Sequence, residues 1–388
     1  MTLHQNVANS VASFAQDGRI TRIEPFLLHV PVTGAEIADS THRVTHWGVC
    51  GVVLHTDTGL RGYGFTGTHA HRGCDQLILD CITHIYSPLL RGESIHDVQR
   101  LWQKLYRFPP AQWVGRAGIT QLALAAVDIA IWDLKAKAHG LPLWRLLGGA
   151  KPDGILAYNT DGGWLSLSKQ QLVDNCRRVV EEQGFRSLKV KVGLPCARHD
   201  VERVQAVRQA IGPDIRLMVD ANGCYDLPAA MELGRALEDL EVAWFEEPLW
   251  YDDVEGHQRL AESIRVPIAL GEQLYSLDAF NAFLNAKAVH YLQPDATRLG
   301  GITEYWQVAD LARAHRLPVA PHAGDMSQVH LQLALAHPDC VTLEYIPWTQ
   351  ECFVEPAIVA DGRFLPPQLP GAGTELRSDA IERFGVLA

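Results

Sequence analysis

Hydrophobic and polar positions follow different patterns on the two sides of residue 150. Over residues 20–64 apolar and polar positions alternate as they do in β-strands, and over residues 69–147 their spacing becomes helical. Residues 118–139 form the strongest helical pattern in the chain. Strands followed by helices are typical of an α+β unit, so we expect residues 1–150 to form an N-terminal α+β domain.

Beyond residue 150, short β-rich runs alternate with amphipathic helical stretches. The eight β-rich runs are residues 155–158, 187–192, 215–219, 242–245, 268–270, 289–292, 317–320 and 341–343. The helical patterns between them include residues 170–183, 199–211, 227–240 and 302–315. Parallel strands joined by helices close into a barrel, which we predict over residues 151–355. Residues 356–388 are rich in Pro and Gly, and we expect them to return to the N-terminal domain.

Composition restricts the classes of partner. The 388 residues are 47% hydrophobic and 20% charged, as in a globular protein with a large core. The formal net charge is −11, and the sequence has no cluster rich in Lys and Arg. An acidic chain without a basic stripe binds nucleic acid and anionic membranes poorly, so we expect neither as a partner.

The cysteines and the N-terminal residues indicate the compartment. The eight cysteines are scattered without a Cys-x-x-Cys pair, which is too dilute for a disulfide scaffold and unsuited to a zinc site. Residues 1–16 have no Lys or Arg before an apolar core, and no apolar run approaches the ~20 residues of a membrane helix. We therefore predict a cytoplasmic protein with free thiols.

Charged residues follow seven consecutive strands of the predicted barrel. In such a barrel the carboxyl ends of the strands form one ring, where active sites lie. The residues at these ends are Lys189, Lys191, Asp220, Glu246, Glu272, Asp295, His322 and Glu344. So many charges in one ring would repel one another or need pairing unless a ligand organised them, so the ring is the candidate site.

Asp220, Glu246 and Glu272 place three carboxylates at neighbouring strand ends, about one βα unit apart. Carboxylates this close together would partly protonate unless a divalent cation held them. Oxygen ligands without His or Cys favour Mg²⁺ or Mn²⁺ over zinc. The alternative is that they are solvated loop acids, but their regular spacing favours a metal site.

Lys189 and Lys191 are two residues apart on one strand, so both side chains project to the same side. We expect both to point into the barrel mouth. There, a neighbouring like charge and a cation would lower the lysine pKa toward that of a general base. The alternative is an exposed edge strand whose lysines serve only solubility.

Asp295 and His322 end adjacent strands, the sixth and the seventh. A carboxylate beside a histidine orients the imidazole and raises its basicity. His322 is therefore a candidate for proton transfer from the side opposite Lys191, and the alternative is a core histidine with satisfied hydrogen bonds. Among the other histidines, His42 and His46 are weaker candidates for substrate contact.

These motifs, in this order, resemble the enolase superfamily and, within it, the mandelate racemase subgroup. The matching segments are Lys-x-Lys at 189–191, DAN at 220–222, FEEP at 245–248, GEQ at 271–273, PDATRLGGI at 294–302, PHAG at 321–324 and LEY at 343–345. The helical segment at 125–149 is similar to the family's first-domain signature. Each motif alone is weak, but the ordered set is specific and extends from about residue 20 to the C-terminus.

The resemblance implies a fold, a cofactor and a first chemical step. The fold is α/β, a modified (β/α)7β TIM barrel with an α+β capping domain, and the cofactor is Mg²⁺ on Asp220, Glu246 and Glu272. The step is removal of the proton α to a substrate carboxylate, with the metal and nearby donors stabilising the enediolate. The further residues it implies are Lys191 as one base and His322, oriented by Asp295, as base or acid on the other face. It also implies Lys189 beside the substrate carboxylate, Glu344 hydrogen-bonded to that carboxylate as a proton-sharing electrophile, and Asn222 as a contact.

Two bases on opposite faces permit two outcomes. Reprotonation from the other face would make the enzyme a racemase or epimerase, and loss of a β-hydroxyl would make it a dehydratase. Residues 158–165, which include Trp164, resemble the first-strand loop of acid-sugar dehydratases and offer donors to a polyol chain. The loop 34–47, rich in Thr and His, would cover the distal end of that chain.

These polar segments favour a hydro-lyase that converts an aldonate or aldarate into a 2-keto-3-deoxy acid. The expected substrate contacts are Asn222, Lys189, His46 and Trp164. A racemase or epimerase is the alternative. A cycloisomerase would have a lysine where Asp295 and His322 stand, and a non-catalytic sugar-acid binding protein would have no use for the bases. The resemblance also implies a homo-oligomer, between dimer and octamer.

Overall fold

The computed structural model describes residues 17–32, 37–323 and 326–386. Predictions for residues 1–16 and 33–36, and for Gly324 of the PHAG motif, lie outside the described residues. The described chain has two parts, an N-terminal sheet with helices and a barrel of parallel strands.

The N-terminal part begins with antiparallel strands. They are β1 (Ile20–Pro31), β2 (Ile37–Ala38), β3 (Arg43–Val44), β4 (His46–Thr56) and β5 (Arg61–Thr68). A three-stranded sheet has the order β1-β4-β5, and β2 and β3 form a separate hairpin. The turn between β4 and β5 uses Gly59, whose φ of 86° lies in the left-handed region that glycine adopts freely.

The helices of this part pack on the sheet mainly through its longest helix. They are α1 (Arg72–Asp80), a π-helix (Cys81–Tyr86), α2 (Ser87–Leu90), α3 (Val98–Tyr106), α4 (Pro109–Val114), α5 (Ile119–Ala138) and α6 (Leu143–Leu146). A Cβ at Gly64 on β5 would lie 2.0 Å from the carbonyl oxygen of Ala126 on α5. Glycine at this position therefore permits the close approach of strand and helix.

The second part alternates strands and helices. Its strands are β6 (Ile155–Asn159), β7 (Ser187–Lys191), β8 (Arg216–Asp220), β9 (Phe245–Glu246), β10 (Ile268–Leu270), β11 (Tyr291–Leu292) and β12 (Leu343–Tyr345). Its helices are α7 (Lys169–Glu181), α8 (Ala197–Ile211), α9 (Leu227–Glu238), α10 (Val254–Ala261), α11 (Leu277–Asn285), α12 (Ile302–Ala314) and α13 (Ser327–Ala336). In the described part of the chain, none of the helices is both long enough and apolar enough to cross a membrane.

The strands from β6 to β11 pair in parallel and in chain order, and the ring then closes. β12 pairs with β6, while Val319 bridges Leu292 on one side and Cys340 on the other. The strand predicted over residues 317–320 is thus reduced to one bridging residue. Pro318 and Pro321 explain the difference, because proline has no N–H to donate to a ladder.

The C-terminal segment contacts both parts. After a short 3-10 helix (Gln350–Cys352), β13 (Val359–Ala360) and β14 (Arg363–Phe364) form a hairpin, and β14 pairs with β6. Farther on, Gly371 bridges Pro142, and α14 (Ala380–Phe384) packs near β1. Residues 359–364 thus extend the barrel sheet before the chain reaches the N-terminal part, and the predicted domain bounds, with the return over residues 356–388, stay a prediction.

A buried carboxyl group joins the two parts at the N-terminus of α12. The N and Oγ1 of Thr303 donate to the two carboxyl oxygens of Asp128 on α5, at 2.9 and 2.8 Å. Burial raises the pKa of Asp128 to about 7. Asp128, on a helix of the N-terminal part, therefore serves as an N-terminal cap for the barrel helix α12. The predicted fold, a modified TIM barrel with an α+β capping domain, is confirmed.

Candidate active site

Lys189 connects three strand ends. Its Nζ lies 2.5 Å from Glu246 Oε1, 2.9 Å from Glu344 Oε1 and 3.2 Å from Asp220 Oδ2. Burial opposes its positive charge, but these carboxylates raise the pKa of Lys189 well above its ordinary value. Lys189 therefore compensates the negative charge of carboxylates from three strands, β8, β9 and β12.

Lys191 contacts side chains at the end of the neighbouring strand, β8, and just after it. Its Nζ lies 2.5 Å from Asp220 Oδ2 and donates to Asn222 Oδ1 at 2.9 Å. Burial would lower the pKa of Lys191, but Asp220 raises it above its ordinary value. The expected lowering of the lysine pKa values is wrong for this arrangement, because the carboxylates outweigh the repulsion between the two ammonium groups.

Asp220, Glu246 and Glu272 lie at the ends of three neighbouring strands. Asp220 and Glu246 are register partners on β8 and β9, and Glu272 follows β10. Trp244 Nε1 and Gln293 Nε2 donate to Glu246 Oε2 at 2.9 and 2.7 Å. Burial and the charge of Asp220 raise the pKa of Glu246 to about 8.

The chemistry of these donors fits a divalent cation. All three carboxylates are buried, and Oε2 of buried Glu247 has no hydrogen-bond partner. Within the described ranges, however, no three His, Cys, Asp or Glu side chains are grouped as the ligands of one ion. In this structure Glu246 and Asp220 are ion-paired with Lys189 and Lys191 instead. The assignment of Asp220, Glu246 and Glu272 as metal ligands therefore stays a prediction.

His322 lies between two carboxylates. Its Nδ1 is 2.7 Å from Asp295 Oδ2, and its Nε2 is 3.0 Å from Glu272 Oε2. Thr297 fixes Asp295, since its N and Oγ1 both donate to Asp295 Oδ1 at 2.7 Å. Burial would lower the pKa of His322, but Glu272 and Asp295 raise it to about 9. Asp295 therefore orients the ring and stabilises its positive charge.

Glu344 contacts both the lysine side and the histidine side. Its Oε1 accepts a hydrogen bond from Thr160 Oγ1 at 2.6 Å and lies 2.9 Å from Lys189 Nζ. Its Oε2 lies 3.8 Å from His322 Nε2. Burial would raise the pKa of Glu344, but Lys189 and His322 lower it to about 2. In this arrangement Glu344 is an ionised hydrogen-bond acceptor.

A cavity opens beside this ring. The predicted residues that line it are Lys191, Asn222, Glu272, His322, Glu344 and Trp164. The predicted residues buried behind its lining are Lys189, Asp220, Glu246 and Asp295. Lys191 Nζ lies 5.7 Å from the centre of the Trp164 ring, so the indole shields the charge on one side.

His46 does not reach this cavity. It is exposed at the start of β4 and lines a different surface pocket with His29 and Thr45. Successive side chains of a strand point to opposite faces, and Trp47 takes the position toward the cavity. The prediction of His46 as a substrate contact is therefore wrong, and His42 lines the cavity instead.

The capping part contributes cavity residues that were missing from the sequence predictions. Asp39, Trp47 and His69 line the cavity beside His42. The ring centres of His42 and His69 are 4.2 Å apart, and those of Trp47 and His69 are 5.3 Å apart. Each is a single residue in a loop or at a strand end, so no spacing pattern marks them.

Four barrel residues of the cavity were also missing from the predictions, and all lie in or near recognised motifs: Gln273, Arg298, Ile346 and Trp348. Arg298 is part of PDATRLGGI, and its Nη1 donates to the backbone oxygen of Glu272 at 3.3 Å. Trp348 follows LEY, and its ring lies 5.2 Å from Trp164 and 5.7 Å from Trp47. Arg298 could therefore have been taken from the motif itself, and Trp348 from a short extension of LEY.

Hydrogen bonds attach the loop that contains β2 and β3 to the barrel. Ser40 Oγ donates to the backbone oxygen of Ala221 at 2.7 Å. Leu165 N donates to the backbone oxygen of Ala38 at 2.9 Å. The described portion of the loop predicted over residues 34–47 therefore covers one side of the cavity.

Comparison with known proteins gives a family and related enzymes. Residues 22–148 match the model described as mandelate racemase / muconate lactonizing enzyme, N-terminal domain, and residues 171–380 match enolase C-terminal domain-like. The chain is 36% identical to L-talarate/galactarate dehydratase of Salmonella typhimurium, over 91% of this chain and 87% of that protein. It is 33% identical to arabinonate dehydratase of Saccharolobus solfataricus, over 85% of this chain and 89% of that protein.

Solved structures agree with these matches. L-Talarate dehydratase from Polaromonas sp. JS666, complexed with Mg and L-glucarate, superposes with a TM-score of 0.87. It is 34% identical in sequence, and the match covers 96% of this chain and 98% of that chain.

Proposed function

Because the chain belongs to the mandelate racemase / muconate lactonizing enzyme family of the enolase superfamily, we propose that it is an Mg²⁺-dependent acid-sugar dehydratase. Its substrate is an aldonate or aldarate, and its product is a 2-keto-3-deoxy acid. The supporting observation is that Lys191 and His322, paired with Asp295, line one cavity from strand positions separated by β12 and β6. Such a placement suits a base and a proton donor that act on the same substrate. The similarity to two sugar-acid dehydratases supports the same reaction.

In the first step, Lys191 removes the proton α to the substrate carboxylate. It does so in its neutral form, which a cation on Asp220 would favour by offsetting the negative charge that raises the pKa of Lys191. The C–H bond breaks, its electron pair enters the enediolate, and the proton goes to Nζ of Lys191. Asp220 Oδ2, 2.5 Å away, stabilises the protonated lysine and therefore the product of the transfer. Glu344, which Lys189 contacts, acts at the carboxylate end of the substrate.

In the second step, His322 gives a proton to the β-hydroxyl. The C–O bond breaks and its electron pair leaves with the protonated hydroxyl as water, while the enediolate returns to a carboxylate and its own electron pair forms the C2–C3 double bond of an enol. The enol tautomerises to the 2-keto-3-deoxy acid. Asp295, 2.7 Å from Nδ1, holds the ring so that Nε2 delivers the proton.

Asp220, Glu246 and Glu272 would hold the Mg²⁺, since buried carboxylate oxygens are ligands that this ion prefers. When bound, it supplies the positive charge that stabilises the doubly negative enediolate. Mn²⁺ accepts similar ligands and is the expected substitute. The related dehydratase complexed with Mg and L-glucarate supports this cofactor.

Proton NMR in D₂O with Mg²⁺ tests the proposal on a panel of hexaric, hexonic and pentonic acids. We expect a 2-keto-3-deoxy product from at least one acid, and no product from the Lys191→Ala variant. Loss of the α-proton signal without that product would contradict dehydration and favour a racemase or epimerase. No change with any acid would contradict catalysis and favour a sugar-acid binding protein.

We further propose that residues 1–150 are the capping domain and residues 151–355 the catalytic barrel of a cytoplasmic homo-oligomer, between dimer and octamer. The free thiols of all eight cysteines support a reducing compartment. The exposed apolar side chains of Trp113 and Val114 on α4 support association between copies. Light scattering during size-exclusion chromatography tests the association, and a monomer mass would contradict it.

A further inference from the structure

The capping part forms one side of the cavity, and this side differs in charge from the ring of strand ends. Asp39, His42 and His69 line the cavity from the capping part and are called the distal cluster. We propose that the distal cluster selects a sugar acid whose far end is uncharged, which is an aldonate rather than an aldarate. This inference rests on the proposed dehydration and narrows the substrate class of the same site.

Asp39 is held as a carboxylate by a tight turn. Its Oδ1 accepts hydrogen bonds from the backbone N of Thr41 and of His42, both at 2.7 Å. Burial would raise the pKa of Asp39, but the hydrogen bond with His42 and the charge of Lys191 lower it well below its ordinary value. The distal cluster therefore includes one fixed negative charge.

The two imidazoles of the cluster offer hydrogen-bonding atoms suited to hydroxyl groups. Thr41 Oγ1 donates to Asp39 Oδ1 at 3.0 Å, so its oxygen accepts from His42 Nδ1 at 2.7 Å. His42 Nε2 can then pair with a hydroxyl group, as donor or acceptor according to the tautomer. Burial lowers the pKa of His69 to about 4, so this ring is neutral near pH 7. A substrate hydroxyl both donates and accepts, and it can pair with either ring.

The cationic side chains of the cavity, Lys191, His322 and Arg298, belong to the barrel, and each has a barrel carboxylate within 4.0 Å. Lys191 and His322 have the partners described above, and Arg298 Nη1 lies 4.0 Å from Glu272 Oε1. Arg43 lines the outer groove of the loop rather than this cavity. A second substrate carboxylate at the distal cluster would therefore lie beside Asp39, whereas a primary alcohol would avoid that repulsion.

Matched pairs of acids that differ only at the far carbon test the inference. They are galactonate and galactarate, gluconate and glucarate, talonate and talarate, and arabinonate and arabinarate. The Mg²⁺-loaded enzyme is assayed for 2-keto-3-deoxy product from each. We expect kcat/KM for the preferred aldonate to exceed that for its aldarate partner by at least ~10-fold, as repulsion between two nearby carboxylates predicts.

The outcomes separate the two proposals. Turnover of an aldarate as fast as that of the best aldonate would overturn the selection and leave dehydration intact. Absence of product from every acid would overturn the proposed dehydration, and the selection with it.

Asp39→Asn tests the residue that supplies the charge. The amide oxygen can accept the same backbone hydrogen bonds, so the turn is kept while the charge is lost. We expect the aldarate-to-aldonate ratio of kcat/KM to rise by ~10-fold. Asp57→Asn is the matched control, because Asp57 accepts from Arg19 N in another exposed turn of the capping part. An unchanged ratio in Asp39→Asn, or the same rise in the control, would overturn the role of Asp39.

Discussion

The ring of strand ends and the distal cluster line the same cavity from the barrel and from the capping part, but their charges are balanced differently. In the ring, carboxylates contact lysine or histidine nitrogens, as Glu344 contacts Lys189 at 2.9 Å. In the distal cluster, the single carboxylate of Asp39 meets backbone N–H groups and an imidazole. The ring therefore holds charges suited to moving protons, while the cluster offers mainly hydrogen bonds suited to recognising hydroxyl groups. Reaction and selection are thus supplied by different parts of the chain.

The largest expected effects come from replacing Lys191 or His322, and they distinguish the roles of these two residues. Lys191→Ala and His322→Asn should each lower kcat by ~10²–10⁴-fold, because each removes a proton-transfer group. In D₂O with Mg²⁺, Lys191→Ala should lose α-proton exchange and product together. His322→Asn should lose the product and keep the exchange, since the first step does not use it. Proton NMR measures both signals.

Two exposed residues provide matched controls for these variants. Lys169→Ala and His315→Asn change the same residue types away from the cavity and should keep full activity. Circular dichroism checks that each ring variant has folded. Full activity of either folded ring variant would refute the two-residue scheme.

Two buried carboxyl groups outside the ring predict how the free energy of unfolding depends on pH. Asp128 and Glu304 are held by neutral donors, and burial raises the pKa of each to about 7, from 3.8 and 4.5. Between the unfolded and the folded pKa, the folded chain keeps protons that the unfolded chain has released. The contribution of these groups to the free energy of unfolding is therefore complete below about pH 4 and is lost as pH rises through 7. From pH 5 to pH 8, the wild type should lose about 1–3 kcal/mol of unfolding free energy relative to Asp128→Asn, measured by urea denaturation.

The control for this prediction is another carboxylate that caps a helix. Asp226 is exposed and accepts from Ala229 N at 2.9 Å at the start of α9. Asp226→Asn should lower stability by a similar amount at both pH values. If the difference between wild type and Asp128→Asn stays constant from pH 5 to pH 8, the raised pKa of Asp128 is contradicted.

The ring could be predicted from sequence because its residues follow regularly spaced strands. One βα unit separates Asp220, Glu246 and Glu272, and the carboxyl ends of parallel strands share one edge. The alternation of a strand likewise places Lys189 and Lys191 on one side. Which atoms pair could not be predicted, and so the direction of the lysine pKa shift was missed, because that shift depends on contacts of 2.5–3.2 Å between buried atoms.

The distal cluster lacks such a pattern. Asp39, His42 and His69 lie in a loop and beyond a strand end, and they meet the barrel residues only because the two parts pack together. His46 shows how sensitive such a prediction is, since a shift of one position along β4 moves a side chain to the other face. Contacts between distant chain segments are set by packing, which local periodicity does not encode.

A conservative change in the ring tests its metal ligands without a substrate. Glu246→Gln keeps the size of the side chain, and its amide oxygen can still accept from Trp244 and Gln293. Because the charge is lost, Mg²⁺ affinity measured by calorimetry should fall by ~10-fold or more. Glu255→Gln, on the exposed side of α10, should bind Mg²⁺ as the wild type does. Unchanged affinity in Glu246→Gln would remove Glu246 from the ligand set.

The smallest expected effect concerns the attachment of the capping loop to the ring. Ser40→Ala removes the hydrogen bond from Ser40 Oγ to the backbone oxygen of Ala221, worth about 1 kcal/mol, and Ala221 lies between Asp220 and Asn222. Since the loop helps to form the distal cluster but not the proton-transfer groups, KM should rise ~3–5-fold while kcat changes less. Ser263→Ala is the matched control, because it removes a hydrogen bond of the same 2.7 Å length to the backbone of α10. A fall in kcat without a rise in KM would mean that the loop positions the ring itself, and the division between reaction and selection would then fail.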